Sequence, residues 1–152
     1  MMQVFTVRRS RRFAQRPSRV FDAWLDPALR AQFETPEGSG MSHVTLATQE
    51  GESGEILIAP GDTEVGRMFD TIRILQPGRL AVVHGWGVFG GNPAMTMQNV
   101  FDVTPDGDGC TFTGTSQMVV LGEQPTEADV ARGWDDMLDR FAGVLERTSQ
   151  ED

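Results

Sequence analysis

The sequence predicts an α+β fold, a curved antiparallel sheet of about six or seven strands wrapped around a long C-terminal helix, with two short helices after strand 1. Three observations carry this expectation. Val130, Trp134, Met137, Leu138, Phe141, Val144 and Leu145 recur at intervals of three and four residues, which puts one apolar stripe along a single helix. Pro17 and the pair Asp26-Pro27 are two helix-start signals close together near the N-terminus. Between these helical regions the chain consists of alternating apolar and polar runs broken by Gly, Pro, Asn and Asp, the pattern of strands joined by turns.

Met2 to Phe13 alternates loosely and forms the first strand, its far end studded with Arg. Pro17 suits the first position of a helix, where its missing N–H would have no partner anyway, and Val20, Phe21 and Trp24 then share a face. Asp26 is placed to cap a second short helix that starts at Pro27 and buries Leu29 and Phe33. The Gly-, Ser- and Glu-rich stretch from Thr35 to Gly66 holds two strands, Ser42 to Gln49 and Gly54 to Ala59. Arg67 to Leu75 and Leu80 to Trp86 form a hairpin about the turn Gln76-Pro77-Gly78-Arg79, in which Pro restricts φ and Gly relaxes it. Gly85 to Pro93, with Val88 and Phe89 among its glycines, reads as a loop, either a mobile lid or a dimer contact. Ala94 to Thr104 and Cys110 to Val120 make a long hairpin. Its second arm places Thr111, Thr113, Thr115 and Gln117 on a wet face and Phe112, Gly114, Ser116 and Met118 on the other. Thr126 and Asp129 have the spacing of a helix cap, and the helix they open, roughly 20 residues and about 30 Å long, can cross a sheet. Thr148 to Asp152 is expected to fray.

The 152 residues suit one domain, 1–152, with no internal repeat or linker. A net charge of -9 disfavours nucleic acid as a partner, since phosphate binding needs a basic field. Seven of the thirteen Arg nevertheless lie in the first 30 residues, and their plainer role is to pair with the domain's own carboxylates. The absence of Lys and Tyr points to the codon bias of a GC-rich genome. One cysteine, Cys110, rules out an internal disulfide, and with only His43 and His84 beside it no structural metal site is expected. No apolar run is long enough to span a bilayer and none follows the Arg-rich start as a signal peptide would, so the expected location is the cytoplasm, without a membrane partner.

The run Pro17-Ser18-Arg19-Val20-Phe21-Asp22-Ala23-Trp24-Leu25-Asp26-Pro27 resembles the opening motif of the activator of heat-shock-protein-90 ATPase homologue family. That family falls within the superfamily of START, polyketide-cyclase and birch-pollen-allergen-like domains (SRPBCC). The turn Pro77-Gly78-Arg79-Leu80, the hairpin exit Gly109-Cys110-Thr111 and the pair Gly133-Trp134 are similar to later features of the family, in the same order. Two departures stand out. Glu52-Ser53-Gly54-Glu55 replaces the usual Gly-Gly at the third strand, and His84 occupies a place where an aromatic residue is common. The resemblance implies the helix-grip fold and a cavity for a small hydrophobic molecule.

Several residues are candidates to line that cavity. His84, in alternation with Val82 and Trp86, would serve there as an acid, base or ligand donor, unless it is hydrogen-bonded at the sheet surface or rim. Asp70 shares a face with Met68, Ile72 and Ile74. If that face looks inward it is a general-base candidate with a pKa raised by burial; otherwise it lies outside the packed region or pairs with Arg. Met95, Met97 and Asn99 alternate with Phe101 on one face and Met118 joins them from the next strand, as an adaptable ligand wall or as ordinary core. Trp24, Phe33, Trp134 and Met137 complete the set, with packing as the default role of the aromatics.

The leading functional expectation is therefore binding of a hydrophobic or aromatic small molecule between sheet and C-terminal helix, with no cofactor. A cyclase- or hydrolase-like enzyme using His84 or Asp70 with Asn99 is one alternative. A co-chaperone-like ATPase activator, implied only by the family resemblance, is another.

Overall fold

A computed structural model describes residues 1–149. Strand β1 (Gln3–Phe13) leads into helices α1 (Pro17–Leu25) and α2 (Pro27–Phe33). Six strands follow: β2 (Met41–Thr45), β3 (Ser53–Ile58), β4 (Gly66–Gln76), β5 (Leu80–Phe89), β6 (Asn92–Asp106) and β7 (Gly109–Val120). Helix α3 (Glu127–Ser149) ends the described chain, and is therefore still helical at Thr148; residues 150–152 of the expected frayed end lie outside the described residues. The strands form one antiparallel sheet in the order β1-β7-β6-β5-β4-β3-β2. This is the expected helix-grip arrangement.

The helix starts follow the chemistry anticipated for them. Pro17 and Pro27 occupy first-turn positions, and the Asp26 side chain accepts the Ala28 N–H at 2.9 Å. At the start of α3, Thr126 and Asp129 cap each other: Thr126 N–H donates to the Asp129 carboxylate at 3.0 Å, and Asp129 N–H donates to Thr126 Oγ1 at 3.2 Å.

Two local expectations are corrected. Gly85–Pro93 is no lid, because β5 continues to Phe89 and β6 begins at Asn92, joined through Gly90 and Gly91 with φ of 59° and 78°. Two successive positive φ angles are what a tight hairpin turn of matching twist demands, and glycine supplies them without steric cost. Ile74, grouped above with Asp70, instead faces outward and is 45% exposed. The register with β5 jumps between Ile72 and Ile74, so Arg73 is an extra residue that reverses the alternation beyond it.

The core lies where α1, α2 and α3 meet the inner face of β1 and β7. Trp24, Phe33, Phe112, Trp134, Leu138 and Phe141 are all buried there. Trp24 is at its centre, with ring centroids 4.8 Å from Phe33, 4.5 Å from Phe112 and 4.9 Å from Phe141. The Arg-rich strand β1 is an edge, and its register places Arg9 and Arg11 on the inner face opposite Gly114 and Phe112. From there they reach α3: Arg9 pairs with Asp135 at 2.9 Å and Arg11 with Asp139 at 2.8 Å.

Candidate functional site

Helix α3 packs on β1 and α2, and so covers the sheet unevenly. Under its N-terminal half, between Val130, Gly133, Trp134 and Met137 on one side and β4, β5 and β6 on the other, lies a cavity of about 480 Å³. All six methionines beyond the first two residues, Met41, Met68, Met95, Met97, Met118 and Met137, line it. Unbranched thioether side chains give a wall that can change shape at small energetic cost. A second depression of about 530 Å³ lies on the outer face near His84, Gln98 and Gln117 and is more open to solvent than the interior cavity.

The structure sorts the candidate residues into three places. Trp24, Asp70, Met95, Met97, Asn99, Met118, Trp134 and Met137 line the interior cavity. Phe33 is fully buried in the aromatic core behind Trp24 and does not reach the cavity wall. His84 and Trp86 are on the opposite face of the sheet: His84 takes its surface alternative, hydrogen-bonded outside the cavity, and the expectation that Trp86 lines the cavity is corrected. On β5 it is Val83, Gly85 and Gly87 that are buried, so strand alternation turns the residues between them outward. His84 Nε2 lies 2.8 Å from Gln98 Oε1, and Gln98 donates on to Gln117 Oε1 at 3.2 Å, a polar ladder across the outside of β5, β6 and β7. Trp86, 48% exposed, stacks on Phe69 of β4 at 4.3 Å.

Polar chemistry enters the cavity at two points. In the wall, Trp134 Nε1–H donates to Ser116 Oγ at 2.8 Å, and Ser116 Oγ–H donates to Asn99 Oδ1 at 2.6 Å. This relay satisfies the buried indole and fixes the Asn99 carboxamide with its oxygen engaged, leaving the amide N–H groups as donors at the wall. Trp134 itself is seated by Gly114, since a Cβ at that position would collide with the indole ring.

The second point is an ionic cluster at one end of the cavity. Arg30 of α2 donates from Nη2 and Nε to the Glu34 carboxylate at 3.0 to 3.2 Å and from Nη1 to the Ala47 carbonyl at 3.1 Å. Asp70 Oδ2 stands 4.0 Å from Arg30 Nη2, and His43 Nε2 stands 3.7 Å from Glu34 Oε1. Burial raises the Asp70 pKa above its ordinary 3.8, with the Arg30 charge pulling the other way. Burial also lowers the His43 pKa below 6.5, against the opposing charge of Glu34. Asp70 Oδ1 and His43 Nε2 are buried without a hydrogen-bond partner.

Of this cluster only Asp70 was legible beforehand. Arg30 and Glu34 are spaced i, i+4 on the second short helix, which hints at a pair, but nothing local shows that β2 and β4 bring His43 and Asp70 to it. Among the described residues no group of three or more His, Cys, Asp or Glu side chains is placed to hold a metal ion, and no helix is long and apolar enough to cross a membrane.

The comparisons with known proteins agree with this architecture. The family model described as Activator of Hsp90 ATPase homolog 1-like protein matches residues 14–146. A solved protein of Rhizobium leguminosarum superposes with a TM-score of 0.86 at 18% identity, covering 97% of each chain. DynU16, from the dynemicin biosynthetic locus, superposes with a TM-score of 0.67 at 20% identity, over 93% of this chain and 47% of its own. Ara h 8.0201 does so with a TM-score of 0.69 at 12% identity, over 95% of this chain and 99% of its own. At these identities the likeness is one of fold. No curated protein matches the sequence.

Proposed function

The chain belongs to the Activator of Hsp90 ATPase homolog 1-like family, and from that premise we propose that it binds a small hydrophobic or aromatic molecule in the cavity between its sheet and α3. One observation carries the reading: an interior space of about 480 Å³ toward which the fold turns every methionine of its body. Buried space of that size forfeits dispersion contacts along its whole lining, and an apolar guest restores them. The volume lies within the range of about 300–1,000 Å³ typical of small-molecule sites, and an apolar wall with a few placed polar groups is their usual make-up.

In this role Trp24, Trp134 and the methionines supply contact area, while Asn99, held by Ser116, orients one polar group of the guest. No step calls for a cofactor. A catalytic reading loses His84, which the sheet separates from the cavity. Titrating the protein with Nile red and screening an apolar metabolite panel by thermal shift tests the proposal. Dye fluorescence that rises and is then competed away by a panel member is expected. Failure of both dye and panel to bind would overturn it.

A further inference from the structure

The ionic cluster narrows the chemistry of the guest, and this step rests on the binding reading above. Arg30 resembles an anion anchor, the group that would greet the carboxylate of a fatty or aromatic acid. Its hydrogen bonds show otherwise. Nε and Nη2 are committed to Glu34 and Nη1 to the Ala47 carbonyl. Two carboxylates, Glu34 and Asp70, surround this one guanidinium, so an arriving anion meets an excess of negative charge and no free fork of N–H donors. An ammonium is drawn by that excess but would have to shed its water in an apolar cavity, a cost a single hydrogen bond does not return.

What the cluster lacks is a neutral donor. Asp70 lines the cavity with its side chain 28% exposed: Oδ1 is shielded against the Gly54 backbone, and Oδ2 has Arg30 Nη2 at 4.0 Å, beyond hydrogen-bond reach. A carboxylate oxygen at an apolar wall costs free energy until something donates to it. The second unpartnered atom, Nε2 of His43, belongs to a side chain only 9% exposed, 3.7 Å from Glu34 and off the cavity wall, so Asp70 is the acceptor a guest meets. The opposite wall is methionine and aromatic surface.

We propose that the ligand is an apolar, uncharged molecule ending in a hydroxyl, a phenol or an alcohol, whose O–H donates to the Asp70 carboxylate while its body lies along the methionine wall. Asp70 is then the residue that separates a hydroxylated guest from its acid, its amine and its bare hydrocarbon.

The test uses four probes with one two-ring body: 4-phenylphenol, biphenyl, biphenyl-4-carboxylate and 4-phenylbenzylamine, titrated into the full chain at neutral pH by calorimetry. The phenol is expected to bind about tenfold more tightly than biphenyl, the size of effect a hydrogen bond to a charged acceptor gives, and both ionic probes more weakly than the phenol. In Asp70→Leu the phenol advantage is expected to vanish while biphenyl affinity stays, which also shows that the variant is folded. Asp70→Asn, which keeps an acceptor oxygen, is expected to retain part of it. Equal binding of phenol and biphenyl, or tighter binding of the acid or the amine, overturns this inference and leaves the cavity reading intact. No binding by any of the four removes both.

Discussion

Asp70 and His84 show what strand periodicity tells a reader at the scale of one residue. Alternation reports which residues share a face, and it grouped Asp70 with Met68 and Ile72 correctly. It does not report which face looks inward, a property of the whole curved sheet, and so the sequence leaves His84 open between the cavity and the sheet surface, where the burial of Val83 and Gly85 puts it. The bulge at Arg73 was invisible for a related reason, since it exists only relative to the partner strand. Burial of Asp70 has a measurable consequence. A carboxylate whose pKa is higher in the folded state than in the unfolded chain binds more protons when folded, so stability falls as pH rises from about 3.8 through the raised value and stays level above it. Asp70→Asn removes that titration. The stability gap between variant and wild type, from urea unfolding at a series of pH values, should therefore be smallest in acid and grow toward neutrality. The neighbours that face Asp70 are Arg30 and Glu34 from the α2 region, His43 from β2 and the Gly54 backbone from β3. His43 has the opposite sign, losing stability as pH falls below 6.5, and the Asp70 charge acts on it, so the comparison is made with His43→Gln in both proteins, where that limb is absent. A gap that is flat with pH would mean that Asp70 titrates alike in both states.

At the scale of elements the helices were the most legible part of the chain, because their signals are local. Pro17, Asp26-Pro27 and Thr126 with Asp129 each act within one turn of where they stand. The hairpin at Gly90-Gly91 reads as a loop in the sequence because four glycines in nine residues resemble flexibility, whereas Gly85 and Gly87 are strand residues on the buried face, where methionines from β4 and β6 crowd the space a Cβ would need. Composition alone cannot separate a glycine that lets the chain move from one that lets a neighbour approach. Helix α3 supports both the core and the cavity roof, so its cap bears on function. Thr126→Ala removes the oxygen that accepts the Asp129 N–H and should cost about 1 kcal/mol. In a chain of this size that is a drop in Tm of roughly 2–4 °C by calorimetry. No change in Tm would show that this end of α3 is held by its packing rather than by its cap.

For the whole molecule, the decisive feature is the mismatch between a straight helix and a curved sheet. The aromatic cluster closes the end of that gap where α1, α2 and α3 converge, and the β4–β6 side is left to methionine. The sequence contained the ingredients, an apolar helix stripe facing methionine-bearing strands, but the volume between them is a difference of two long-range positions and could not be read from either. If the gap is a binding site, occupancy and stability are linked: a guest at a hundred times its Kd adds about 2.7 kcal/mol, a Tm rise of roughly 5–11 °C. Met97→Trp tests whether the rise originates in this cavity. The larger ring projects from β6 into space that is partly empty, so the overpacking penalty of a filled core, about 1–3 kcal/mol, should be largely avoided and the variant should fold. It is expected to melt near the wild-type temperature without ligand and to show little or no Tm rise with the hydrophobic compound that stabilises the wild type. A full ligand-induced rise in Met97→Trp would move the binding site out of the interior, with the depression beside His84, Gln98 and Gln117 the next place to look.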